Sequence, residues 1–144
     1  MRGSGPARPY QFTLAAVDAC TARERARCGD RDGAIPLLRE AVDDLFHAGH
    51  LWSCIVATGF LVETLLDRGA DSDVAEAEAA IERLAVAPAD EGLVMRDIWL
   101  LRLRTLLARA HGDAAAYAHF RDRYRDLART LGFEGHIAWA EAMP

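Results

Sequence analysis

The sequence contains no lysine and no asparagine, and all 17 of its basic residues are arginine. A Walker-A phosphate loop needs a lysine on the β/γ-phosphates, so this chain has none. A Schiff-base enzyme needs a lysine nucleophile, and the protein-kinase set needs both missing residue types. Serine is scarce too: Ser4, Ser53 and Ser72 are all there is, and none sits in a Gly-x-Ser-x-Gly elbow. His-Glu-x-x-His and Cys-x-x-Cys are also absent. No apolar run reaches the roughly 18 residues of a membrane span, and the N-terminus lacks the basic and apolar regions of a signal peptide. Cysteine is limited to Cys20, Cys28 and Cys54. The first two fall on one predicted helix, about 12 Å apart at its rise per residue. Disulfide Cα atoms lie within about 7 Å, so that pair does not bridge. Three free thiols point to a reducing compartment and a cytoplasmic protein.

What is present is a helical vocabulary. The 144 residues are 51% hydrophobic and 27% charged, enough for a single domain with a real core. The net charge of −5 argues against nucleic acid as a partner. Arg121, Arg123, Arg125 and Arg129 share their stretch with Asp122 and Asp126, the pattern of a solvated helix face with internal charge pairs. Alternating strand patterns are almost wanting, while Ala, Leu, Arg and Glu dominate. Residues 1–10, with Gly3, Gly5, Pro6 and Pro9, are predicted as a flexible arm, and 11–144 as one repeat domain. Helices are predicted at about 12–28, 33–48, 51–68, 72–87, 92–111, 114–131 and 135–143. Breaks fall at Gly29, Gly49, Gly69, the Pro88–Gly92 stretch, Gly112 and Gly132. A glycine just past a helix adopts the left-handed cap cheaply, and Asp30, Asp71 and Asp113 stand where the next helix can use a side-chain cap. Pro36 favours a start of the second helix nearer Asp32 and Gly33, because proline suits a first turn.

The chain also repeats itself. Cys28-Gly29-Asp30, Gly69-Ala70-Asp71 and His111-Gly112-Asp113 begin three helices that superpose. Ala34, Val74 and Tyr117 then coincide, as do Leu37, Ala77 and Phe120, and Ala41, Ile81 and Tyr124. Steps of three and four build one apolar stripe per helix. Three helix–Gly–helix hairpins of about 40 residues follow, with Ile137–Met143 and Trp139 capping the last. One hairpin buries its stripe only against a neighbour.

Candidate sites emerge from departures in this pattern. Ile35, Leu38, Val42 and Phe46 form a second apolar stripe on the 33–48 helix. Its counterparts are Ala75, Glu78, Glu82 and Val86 in one copy and Ala118, Arg121, Arg125 and Arg129 in the other. An apolar face where the other copies are polar is expected to be covered. The cover is either Tyr10 and Phe12 folding back or a docked partner: a protein, an upstream domain, or a second copy making a homodimer through the first hairpin. Trp52, Arg96, Trp99 and Arg104 lie on the enclosed helices and are candidates for an interaction groove or a small-molecule site, since aromatics and arginine serve such surfaces. His47, His50 and Cys54 have metal-ligand spacing, but Gly49 interrupts their helix, and no metal, cofactor or catalytic residue is assigned; a weaker alternative is an enzyme using His and Asp residues gathered from several helices.

The repeat resembles tetratricopeptide-like arrays in a longer variant. Trp99-Leu-Leu-Arg-Leu-Arg-Thr-Leu-Leu-Ala-Arg-Ala-His-Gly-Asp113 resembles the closing repeat of large actinobacterial signalling proteins. So do Tyr117-Ala-His-Phe-Arg-Asp-Arg-Tyr124 and the stretch from Leu131 to Pro144. Those proteins join an adenylate/guanylate cyclase or a LuxR-type DNA-binding domain to an ATPase module and a helical-repeat tail. The resemblance implies an all-α, right-handed stack of about three antiparallel hairpins with a regulatory, interaction-mediating and non-catalytic role. It carries over no catalytic residue.

Overall fold

The computed structural model describes residues 9–88 and 93–144, with side chains from Leu14 onward. Every regular element among these residues is an α-helix: α1 (Pro9–Arg27), α2 (Arg31–Ala48), α3 (Leu51–Arg68), α4 (Asp73–Val86), α5 (Val94–His111), α6 (Ala114–Leu131) and α7 (Glu134–Glu141). The all-α expectation holds, and consecutive helices pack in pairs: α1 on α2, α2 on α3, α4 on α5, α5 on α6 and α6 on α7. Contacts gather into two units, Met1–Arg68 and Gly69–Pro144.

The helix ends follow from local chemistry. Gly49 and Gly112 close α2 and α5 with φ of 70° and 72°, a left-handed conformation that costs a side-chain-bearing residue roughly 1–2 kcal/mol. Asp30 and Asp113 cap α2 and α6 by accepting from the Gly33 and Ala116 N–H groups at 2.9 and 3.0 Å. Asp71 does not act as a cap: α4 starts at Asp73 behind Ser72, and Asp73 instead accepts from the Ala70 N–H at 3.0 Å. The other boundaries fall within a few residues of those expected, and two starts differ for a physical reason. α1 begins at Pro9 rather than residue 12, in keeping with proline's preference for a first helical position. Residues 1–8 of the expected arm lie outside the described residues.

α2 begins at Arg31, so Pro36 sits in its second turn rather than near its start. The cap outweighs the proline here. Asp30 is braced by Arg25, whose Nη2 lies 2.6 Å from the carboxylate, and Pro36 and Asp32, whose carbonyl loses its donor to the proline, are both exposed. A Cβ at Gly33 would strike both the Asp30 carboxylate and the Arg25 guanidinium, so the bare backbone suits this turn.

In the first unit, α2 packs against both α1 and α3, and α1 also meets α3. A helix with two neighbours needs an apolar arc wide enough for both. The second stripe supplies it. Ile35, Leu38 and Val42 are buried and Phe46 half-buried, alongside Ala34, Ala41 and Leu45. The stripe expected as an exposed docking face is therefore core of the first unit, for which α1 and α3 are the partners. The side chains of Tyr10 and Phe12, the other expected cover, fall outside the described ones. The α3 helix is buried around most of its circumference, from Cys54 to Leu65.

In the second unit, Ala77, Ile81 and Leu84 of α4 are buried, as are Ile98 to Leu101, Leu103, Thr105 and Ala108 of α5. Tyr124 and Ala128 anchor α6. The polar counterpart of the α2 stripe has its own task on α6, where arginines grip the end of α7. Arg125 Nε donates to the Ala140 carbonyl at 3.0 Å and its Nη2 to the Met143 carbonyl. Arg121 Nη1 and the Tyr117 hydroxyl donate to the Pro144 carbonyl at 2.9 and 3.1 Å. Arg129 lies 3.5 Å from the Glu141 carboxylate. Met143 and Pro144 lie past the end of α7, where the helix ladder supplies no donors, and these side chains supply them; the Ala140 carbonyl also accepts from the Met143 N–H at 3.3 Å.

Candidate functional site

Two places concentrate chemistry, one in each unit. The first lies along α1 and α3, within the first unit. Small residues on α1 (Ala16, Ala19, Cys20) and larger ones on α3 (Trp52, Val56, Phe60) line an apolar hollow of about 180 Å³. The alanines leave room between the helices that the aromatics wall in. Trp52 is 50% exposed, far more than a core tryptophan, and it stands at the rim.

Phe60 also borders a second hollow of about 210 Å³, further along the same two helices and reaching Arg31 at the start of α2. Arg23, Arg27 and Arg31 line it, facing Glu63, Thr64 and Asp67 on α3. Arg27 pairs with Glu24 at 3.3 Å. Arg23 lies 4.3 Å over the Phe60 ring, a cation–π contact that holds the guanidinium plane and leaves its N–H edge for other partners. Neither Arg23 nor Arg31 has a carboxylate partner among the described residues, although Arg25 and Arg68 are paired with Asp30 and Asp32. The Thr64 hydroxyl is occupied by the Phe60 carbonyl at 2.7 Å. The face thus offers an apolar recess and, from Arg23 over the shared Phe60 to the far end of the second hollow roughly 12 Å along α3, guanidinium groups with no carboxylate partner among the described residues.

The second place is a buried aromatic nest in the second unit. Trp99 of α5 meets His136 and Trp139 of α7 edge-on, with ring centres 5.2 and 5.7 Å apart. His136 is 5.7 Å from the Tyr124 ring and 6.4 Å from Phe133. The Tyr124 hydroxyl and His136 Nδ1 lie 2.7 Å apart and share a buried hydrogen bond. Burial, and then the positive charge of Arg102, push the His136 pKa down from 6.5 to about 4. The ring is therefore neutral near pH 7, a packing and hydrogen-bonding group. Arg102 itself lies 4.6 Å over Trp139.

The four residues expected to form one groove have different fates. Trp52 lines the apolar hollow of the first unit. Trp99 is only 5% exposed and is locked in the nest, so it is core and not groove lining: its large ring packs edge-on against two aromatic neighbours on α7, His136 and Trp139. Arg96 donates to the Ala87 carbonyl at 2.5 Å and so ties the start of α5 to the end of α4. Arg104 is half-buried on α5. Reading by sequence missed Arg23 and Arg31, whose significance comes from the helix opposite. It also missed the Tyr124–His136 pair, which joins residues on two helices. Of the metal-spaced trio, Cys54 is buried, and among the described residues no three His, Cys, Asp or Glu side chains group as metal ligands. All three cysteines are free thiols, Cys20 and Cys28 exposed. No helix among the described residues is long and apolar enough to cross a membrane. Comparison of the chain with protein-family models, curated proteins and solved structures finds no match to any of them.

Proposed function

We propose that this chain is a non-catalytic helical-repeat domain that works by binding protein, as a regulatory tail of the kind its repeat resembles. The α1–α3 face of the first unit is its contact surface. One observation carries the reading: a half-exposed tryptophan rims an apolar recess that shares Phe60 with a hollow holding two guanidinium groups that lack acidic partners among the described residues. Each hollow is shallow and smaller than the roughly 300–1,000 Å³ that encloses a small ligand, which favours a chain lying along the face. The complementary segment carries an apolar side chain and an acidic one about 12 Å apart, which is four residues in an extended strand or eight in a helix.

Selection of binders from a random peptide library displayed on phage tests this. The expected winners share that apolar–acidic spacing, and they lose binding to Trp52→Ala and to Arg23→Glu/Arg31→Glu. Winners without the spacing, or indifferent to both variants, refute the assignment.

A further inference from the structure

The second unit carries a helix face with the features the first unit's surface lacks. On α4, Glu78, Glu82 and Val86 follow one another at intervals of four, so they share a face. All three are exposed, Val86 to 76%, the highest value among the large hydrophobic residues. An aliphatic side chain so far out in water contributes nothing to the interior of its own unit. Glu82 has no ion-pair partner among the described residues, and Glu78 has only His111, 3.9 Å away. The same positions on α2 are the buried apolar stripe and on α6 the arginines that hold α7, so in both of those copies this face has a partner.

The spacings match. From Val86 back to Glu78 is about 12 Å along α4, with Glu82 halfway. From the apolar recess to the arginine end of the α1–α3 face is also about 12 Å along α3. The recess comes first in α3 and the arginines later, whereas on α4 the acids come first and the valine last. The two surfaces are therefore complementary when α4 lies antiparallel to α3. The signs agree as well: the guanidinium groups of Arg23 on α1 and Arg31 at the start of α2 find two carboxylates, while Glu63 and Asp67 remain on the α3 side.

We propose that the occupant of the α1–α3 face is α4 of a second copy of this chain, with Val86 in the Trp52–Phe60 recess and Glu82 and Glu78 on Arg23 and Arg31. This rests on the reading of that face as a contact surface and names its partner. The contact joins two different surfaces. Two copies close into a dimer if both contacts form reciprocally, and chains grow longer if they do not.

Light scattering across a concentration series, on the full chain, tests it. The wild-type mass is expected to rise above the monomer value with concentration. Val86→Asp/Glu82→Arg and Arg23→Glu/Arg31→Glu, checked for helicity by circular dichroism, are each expected to remain monomeric alone. Mixed together they are expected to form a species of twice the monomer mass, because one intact face then meets one intact α4. If the arginine variant loses helicity, Trp52→Ala takes its place in the mixture. A wild-type chain that stays monomeric up to about 1 mM, where a millimolar dissociation constant would show, overturns the proposal. So does self-association that both variants leave unchanged. If the wild type is monomeric and yet library peptides bind the α1–α3 face through Trp52, the contact surface stands and only its occupant is wrong. If neither occurs, both fall.

Discussion

The buried histidine makes the second unit acid-sensitive in a way that is separable from its carboxylates. Above pH 6.5, His136 is neutral whether the chain is folded or not, and its contribution to stability is fully present. As the pH falls below 6.5, the unfolded chain takes up a proton on this ring, while the folded chain holds it neutral until about pH 4. Unfolding is favoured throughout that window, and the loss is complete once both states are protonated. The displacement of the pKa corresponds to about 3 kcal/mol at 1.36 kcal/mol per unit, a large share of the 5–15 kcal/mol typical of a domain. The assay is urea denaturation followed by tryptophan fluorescence at pH 7, 6, 5 and 4, on wild type and His136→Gln. The variant is less stable at pH 7, because it disturbs the Trp99–Trp139 packing, but its stability falls less steeply with acid. The expected difference in loss between pH 7 and 4 is about 3 kcal/mol. Parallel curves for the two proteins would mean that His136 titrates alike in both states, and the account of its burial would be wrong.

Tyr124→Phe leaves His136 Nδ1 buried without its partner and is expected to cost about 1–3 kcal/mol, measured as a lower midpoint of thermal unfolding; an unchanged midpoint refutes it. Arg125→Met frees the Ala140 and Met143 carbonyls, and hydrogen exchange over 138–143 is expected to accelerate while that of α5 does not. Leu38→Ala, in the core of the first unit, is expected to cost about 2–5 kcal/mol in denaturant unfolding; a near-neutral result would put the residue back on the surface. Asp30→Ala is expected to speed amide exchange at Gly33 and Ala34. Arg25 and the Gly33 N–H hold the Asp30 carboxyl below its ordinary 3.8, so the help it gives persists above that pH and fades as acid protonates it.

Glycines and caps were the legible part of the fold, because they act within four or five residues. Gly49, Gly112 and Gly132 end helices where the sequence places the breaks, and Asp30 and Asp113 cap as their positions suggest. Pro36 misled because its penalty falls on a solvent-facing carbonyl, a fact of environment that the residue name does not carry. The α2 stripe is legible as a face that needs cover, but not as one that α1 and α3 cover. Periodicity shows that a face is apolar, while the number of neighbours a helix must satisfy depends on how α1 and α3 fold against it. The same limit hid the Tyr124–His136 bond and the Arg23–Phe60 contact, each made across two helices with no periodic relation between the residues. Trp52 and Trp99 look alike in sequence, on the faces of comparable helices. Only the presence of α7 beside Trp99 separates a core ring from an exposed one.

The grip of α6 on the final residues is made mostly through main-chain oxygens, at Ala140, Met143 and Pro144, and only Glu141 is held by its side chain. A clasp of this kind is indifferent to spelling. Alanine substitutions at exposed positions such as Glu141 should be tolerated there, whereas deleting the segment strands a row of guanidinium groups and unseats the cap over the aromatic nest. Tolerance to rewriting, combined with intolerance to shortening, is the mutational signature to expect from this end of the chain.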